Sequence, residues 1–529
     1  MRDHTNGGVR SRSTGGTGEH YMGALGNRDL RRTSESDGPM DPLSAYVRRV
    51  ENSVVTGNGA IVDRLIGDNL GEFWYGFPLD RARQILLWVT EQGAGNHGLT
   101  PAARAMLTMD GDLGVDGKEP DQTGVGPIFA LRMSGHSDKA LELVEDVFQR
   151  RGEIQTLFDP RGGTNLLITV QCGITAMLAG EYARALTFFT AGQVQPVSST
   201  LPFLTRDCYV KSAIIHGAFG DVQTARRELD SASGIARTDS WAELLIDANE
   251  IIARALIFPT IASRSQLLAI PLHELGEMWP FYILALMRIG EVTGPHPQVI
   301  AQIQLMEELP LPRVAGIGIA GNVFPAARCL QLLQRGDVTM ARRLISLADP
   351  NDVLVQRCMI KLELAAGRFR VAQRTARTSA KDPRNARLRR VQAWSLAALA
   401  ESHLALGDPE LAEGTLGALA ALPGGARSED FTYFGERTRA FAADKFPQWP
   451  IGAESESSRH SAGQSQVKLT RREFEILQLL NQDLSRAEMA ERLYITVNTL
   501  KSHLKSLYRK LGVTTKEAAL LRGKVEGWL

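Results

Sequence analysis

Cysteine is scarce in this chain. Its 529 residues hold four, Cys172, Cys208, Cys329 and Cys358, far apart in the sequence and with no C-x-x-C pair. That absence speaks against a zinc site or a disulfide framework, and buried free thiols in a reducing cytoplasm are the expectation. No apolar run reaches the ~18 residues needed to cross a bilayer, and the first residues lack the charged-then-apolar order of a signal peptide. A soluble, cytoplasmic protein without a membrane partner is therefore expected. Catalytic signatures are missing as well: there is no G-x-x-x-x-G-K-[ST], no H-E-x-x-H and no G-x-S-x-G. The nearest phosphate-loop string, Gly111-Asp112-Leu113-Gly114-Val115-Asp116-Gly117-Lys118-Glu119, has the wrong spacing and no hydroxyl after its lysine. It reads as a surface turn. Neither an enzyme nor a resident cofactor or metal is expected. One-signed charge is lacking too, since the net charge is only +1.

What the chain does have is length, an apolar fraction of 43% that supports a real core, and organisation. Its length calls for more than one domain. Residues 1–40 are rich in Gly, Ser, Arg, Asp and Thr and have almost no apolar periodicity. Such a stretch cannot bury enough surface to offset its ordering entropy, so a disordered tail is expected there, with Met22 and Met40 as alternative starts. From residue 41 to 446 the pattern is helical, beginning with PLSAYVRRVENSVV and LDRARQILLWVTEQ. Residues 447–466 are polar and Ser-rich, which reads as a flexible linker.

Within 41–446 one phrase recurs: an apolar helix end, Gly, four residues, then Ala. It occurs at Gly135-Ala140, Gly180-Ala185, Gly220-Ala225, Gly336-Ala341, Gly367-Ala372 and Gly407-Ala412. Gly permits a tight turn with positive φ, and Ala lets two helices approach closely. A worn copy is expected near Gly290-Glu291. Asp221, Asp337 and Asp408 follow three of the glycines and read as helix caps. Each hairpin cannot bury its own face, so the hairpins stack into an α-solenoid. The pattern resembles degenerate tetratricopeptide repeats, although the spacing exceeds the usual ~34 residues.

The last domain, 467–529, carries the charge. From Lys468 to Leu529 there are twelve Lys and Arg against seven Asp and Glu, a balance of +5, which leaves −4 for the remainder. A nucleic-acid footprint is thus confined to the tail. A first helix runs over 469–482, with Thr470 and Glu473 as a capping box. Ser485 and Glu488 repeat that box and open a short second helix ending at Leu493. Thr496 caps the third, TVNTLKSHLKSLYRKL. In it Leu500, Leu504, Leu507 and Leu511 share one face, and Asn498, Lys501, Ser502, Lys505 and Arg509 share the opposite face, which holds no acid. His503 lies at the edge, suited to packing or to a phosphate contact. Gly512 ends this helix, and a third box, Thr514 with Glu517, opens a fourth. Helices two and three, joined by a tight turn, form a helix-turn-helix whose third helix can enter a major groove.

The stretch LTRREFEILQLLNQDLSRAEMAERLYITVNTLKSHLKSLYRKLGVTTKEAAL resembles the LuxR-type DNA-binding domain. The matching features are L-T-x-R-E, L-S-x-x-E-(M/I)-A-x-x-L and T-(V/L)-K-x-H-(L/V)-x-x-(I/L)-x-x-K-L-x-V. Arg471, Leu500 and Arg486-Ala487 stand where the family often has Pro, Val and Asn-Lys. The resemblance implies that Lys501, Ser502 and Lys505 face bases, that Thr499, Arg509 and Lys510 hold phosphates, and that the fourth helix, 515–526, dimerises. Regulators related to MalT place an ATPase module before their helical repeats; this chain has the repeats without that module, and no receiver domain with a phospho-acceptor aspartate. The expected protein is all-α: a solenoid of helical hairpins followed by a four-helix LuxR-type domain. It is expected to be a bacterial regulator that binds double-stranded DNA as a homodimer, with an unknown effector, small ligand or protein, on the concave side of the repeats. Two alternatives stand beside this reading. One is an interaction scaffold whose tail only dimerises; the other is a nucleotide switch with a decayed site.

Overall fold

Every regular element of the described residues is a helix. The computed structural model describes residues 41–107, 125–158, 163–449, 471–482, 484–493, 495–511, 513, 515–516 and 519–520. The expected disordered tail, the Gly111–Glu119 string, almost all of the linker, and Thr470, Gly512, Thr514 and Glu517 lie outside them. The chain divides into two compact units, residues 1–289 with 303–449, and residues 290–302 with 450–529.

The first unit shows how the sequence sets its helices. PLSAYVRRVENSVV is one helix, Pro42–Val55, with Pro at its start. Asp41 Oδ1 accepts the free amides of Leu43 (2.9 Å) and Ser44 (3.2 Å). Leu43, Tyr46 and Val50 form its buried stripe. Successive hairpins follow, among them Gly163–Leu178 with Tyr182–Gln193, Pro202–Ala218 with Val222–Ser233, Val353–Ala365 with Phe369–Lys381, and Arg389–Leu406 with Pro409–Ala420. At each recurring phrase the alanine is fully buried. Ala140, Ala185, Ala225, Ala341, Ala372 and Ala412 are all at 0% exposure, so none has room for another methyl group. No described helix is long and apolar enough to cross a membrane.

The turn glycines divide into two kinds. Gly135, Gly180, Gly336, Gly367 and Gly407 have φ between 69° and 88°, as the phrase requires. Gly220 does not take a positive φ. There the glycine is needed for space, because a Cβ would come within 2.5 Å of His216 Nδ1. Distant backbone also reaches this turn: Phe219 O accepts from Val391 N (3.2 Å), and Gly220 O accepts from Arg390 N (3.2 Å). Of the three expected caps, Asp221 accepts from Gln223 N (2.8 Å) and Asp337 from Met340 N (3.0 Å), whereas Asp408 makes no side-chain cap. Gly290 is not a turn at all; it lies inside the helix Trp279–Thr293.

A pure solenoid contacts only its neighbours along the chain. Here distant hairpins also meet. Arg427 pairs with Asp221 (2.6 Å) across 206 residues, and Arg384 with Glu181 (3.3 Å) across 203. Arg389 anchors the segment that makes this return. Its guanidinium donates to both oxygens of Asp430 (2.8 Å each) and to Pro423 O (2.9 Å), with side chains 5% and 2% exposed. The four cysteines are free and buried. Burial pushes the Cys172 thiol up to about 12.

Removing one partner of a buried pair leaves an uncompensated charge. Asp430→Ala should therefore cost about 3–5 kcal/mol, read as a fall in the urea midpoint of the full chain. Asp146→Ala, which breaks an exposed pair with Arg150, should stay within ~0.5 kcal/mol.

Candidate nucleic-acid interface

Three described helices lie in the tail, residues 467–529: Arg471–Leu480, Arg486–Arg492 and Val497–Leu511. Each sits inside the range expected from sequence, and the second and third have their expected caps, Ser485 and Thr496, as boundary residues. Ser485 Oγ accepts from Glu488 N (3.3 Å), and Glu488 Oε2 accepts from Ser485 N (2.8 Å), which closes the capping box. Ile495 N donates to Ala490 O (2.9 Å) and makes the turn tight. Thr496 Oγ1 then accepts from Thr499 N (3.1 Å) and opens the third helix.

The leucine stripe packs as its spacing demands. Leu500 and Leu507 are at 0% exposure, Leu504 at 7% and Leu511 at 5%. They join Ile476, Leu477, Leu480, Met489, Ala490 and Leu493 in one core. Each buried leucine contributes about 1.5–3 kcal/mol, so the stripe fixes which face the helix turns outward. A single surface contact, at about 1 kcal/mol or less, cannot rotate it.

That outward face is the candidate interface. Asn498, Thr499, Lys501, Ser502, Lys505 and Arg509 are exposed, and His503 is half-buried at the edge. Ser502 Oγ donates to Asn498 O (3.2 Å), and the Thr499 and Thr496 hydroxyls are 2.8 Å apart. Lys510 is placed differently from the rest. Its Nζ is 2.7 Å from Glu473 Oε2, and the Glu473 side chain is 4% exposed.

Glu473, expected as the return half of a capping box with Thr470, which lies outside the described residues, has partners that the local pattern does not show. In the structure its carboxylate crosses to the third helix, accepting from Ser506 Oγ (2.9 Å) as well as from Lys510. The neighbouring Arg472 donates to Leu493 O, at the end of the second helix. First-helix side chains thus hold both members of the helix-turn-helix. A signal was present in the sequence: Glu473 shares a helical stripe with Ile476, Leu477 and Leu480. An acid on an apolar stripe is almost never buried without a partner.

Residues 467–522 match the family described as bacterial regulatory proteins, luxR family. The transcriptional regulatory protein DegU of Brevibacillus brevis is 36% identical over 61 residues, which are 12% of this chain and 26% of that protein. The spore germination protein GerE of Bacillus subtilis (strain 168) is 38% identical over 58 residues, 11% of this chain and 78% of that protein. The likeness thus spans about a quarter of the first relative and most of the second, and on this side it lies in the tail alone. No solved structure matches the chain.

Glu473→Ala should strip two charge-assisted bonds from the third helix at about 1–3 kcal/mol. The expected outcome is faster amide exchange across 497–511 in the full chain. Glu473→Gln should lose less, because its amide oxygen still accepts from Ser506.

Proposed function

Because the chain belongs to the luxR family of bacterial regulatory proteins through its tail, we propose that it regulates transcription by laying the helix Val497–Leu511 in the major groove of promoter DNA. One observation carries this reading: buried leucines lock the helix so that Lys501, Ser502, Lys505 and Arg509 face outward together. Long donors at i and i+4 are neighbours on one face and suit the acceptor edge of guanine. Lys501, Ser502 and Lys505, with Asn498, read base edges. Thr499 and Arg509 hold phosphates and supply the salt-sensitive part of the affinity. Lys510 acts by position, since its amine is committed to Glu473.

The protein binds as a homodimer through residues 515–526. Two third helices then reach half-sites about one helical turn apart. Residues 41–446 sense an effector, and 447–466 join them to the DNA-binding domain 467–529. The charge balance supports this division, because the +5 of the tail is set beside a −4 remainder that repels phosphate.

The test is selection of genomic fragments by the full chain, beside a variant with Lys501, Ser502 and Lys505 all changed to Ala. The wild type should enrich a two-fold symmetric sequence and the variant should not. Failure of both, and of the isolated segment 465–529, would sink the reading and favour a scaffold. On the enriched site, Lys505→Ala should cost about 1–3 kcal/mol and relax one base position. Uniform weakening across sequences, with a shallower salt slope, would make Lys505 a phosphate contact instead.

A further inference from the structure

The balance of −4 outside the tail is an average, and one helix of the first unit departs from it. Phe369–Lys381 reads FRVAQRTARTSAK and holds no Asp or Glu. Arg370, Arg374, Arg377 and Lys381 recur at i, i+4, i+7 and i+11, so they fall within about 60° of one another around the helix axis. All four are exposed. The opposite face fixes that orientation. Ala372, Ala376 and Ser379 are at 0% exposure, and Ala376 shares a core with Ile360, Ala398 and Leu399. Asn385 Nδ2 donates to Ser379 O (3.0 Å) and Gln392 Nε2 to Ala380 O (3.1 Å), which hold the end of the helix.

The fold makes no use of these four charges. Neighbouring arginines are committed inside it: Arg368 donates to Glu363 (2.6 Å), and Arg384 pairs with Asp382 (2.8 Å) and Glu181 (3.3 Å). The side chains of Arg370, Arg374, Arg377 and Lys381 make no ion pair or hydrogen bond among the described residues. Like charges three and four residues apart repel along a helix. Arg370 also sits in the first turn, where the helix dipole disfavours a cation. A local rule broken with no return inside the fold marks a surface shaped by something outside it.

A polyanion is the partner that such a face attracts, and two features favour a phosphate backbone over an acidic protein. No large apolar side chain is exposed on this helix, whereas protein interfaces are built around aromatic or apolar anchors. The only other exposed residue of the helix is Thr378, a hydroxyl of the kind that bonds phosphate oxygens. At 1.5 Å per residue the stripe is about 16 Å long, enough to meet a few phosphates of one strand.

We propose that this face is a second, sequence-independent DNA contact, which grips backbone phosphates of the duplex flanking the site read by the tail. The identity of the partner rests on the regulator reading above. The stretch 450–470 has a contour length of up to about 70 Å, which lets the contact fall outside the bases that the tail reads.

The test compares the full chain with a variant in which Arg370, Arg374, Arg377 and Lys381 are all changed to Gln. Two duplexes carry the enriched site. One is trimmed to the roughly 20 bp that two half-sites one helical turn apart occupy; the other is extended by about 20 bp, or about 70 Å, on each side. Each phosphate contact contributes about 0.9 to the slope of log K against log salt. On the long duplex the slope of the variant should therefore be shallower by about 2–4, and its affinity at low salt at least about tenfold weaker. On the trimmed duplex the two proteins should bind alike. A second variant with Lys at the three arginines should keep the wild-type slope, because phosphate attraction needs only the charge. The Tm of the Gln variant should equal or exceed that of the wild type, since a repulsion is relieved. An unchanged slope on the long duplex would overturn the assignment and leave the face to an acidic protein. Equal losses on both duplexes would overturn it too, since they would mean a disturbed fold or tail. A chain that enriches no site would sink the regulator reading. The same two proteins, titrated with a long duplex of random sequence, then decide the face by itself: weaker binding by the Gln variant supports it, and equal binding overturns it.

Discussion

The helical unit depends on one constraint, the contact of paired helices at alanine. Where the side chain is a single methyl at 0% exposure, two backbones lie close enough for the flanking apolar residues to interdigitate. Six such alanines are buried in the hairpins, and five of the glycines before them take the positive φ of a tight turn. A wider residue at those points would push the helices apart and unseat the layers above and below. Each hairpin has a face that only the next one covers, so the error would propagate.

Register alone would give an open stack. The return of the C-terminal hairpins onto the Gly217–Asp221 turn adds contacts that a stack does not have. Arg390 donates to Gly217 O, Arg427 pairs with Asp221, and Arg389 with Asp430 anchors the segment that carries both. Buried arginines suit this work. A guanidinium presents five donors in a fixed plane, and here they saturate carbonyls and carboxylates together. Arg206 follows the same logic inside the stack, bonding Glu243 (2.7 Å), Asp247 (2.7 Å) and Glu250 (2.9 Å). First helices held this rigidly can keep an aromatic cavity of about 140 Å³ open between them rather than collapsing into it.

The tail domain solves the same problem with fewer residues. Among the described residues, polar clasps add to the apolar core that its three short helices share. Arg472 holds the end of the second helix and Glu473 the last turns of the third. Both leave from one end of the first helix, so the angle between helices two and three is set from a single point. That angle decides whether a donor face lies along a groove or across it.

The legibility of the sequence follows from where its information is local. A leucine every three or four residues is visible along the chain, and the stripe Leu500 to Leu511 is buried as its spacing says. Caps are local too, which is why Ser485, Thr496, Asp221 and Asp337 were readable. What escaped is non-local. Gly220 departs from its sister turns, and backbone from residues 390 and 391 reaches the chain there. Glu473 and Lys510 meet across 37 residues, a pairing that neither one's local pattern shows. The cavity was invisible because its aromatic residues, Trp74, Phe129, Phe203 and Trp241, belong to four different helical segments and share no periodicity. A repeat pattern specifies the faces that pack, and residues off that pattern are placed by contacts between distant segments that no local window shows.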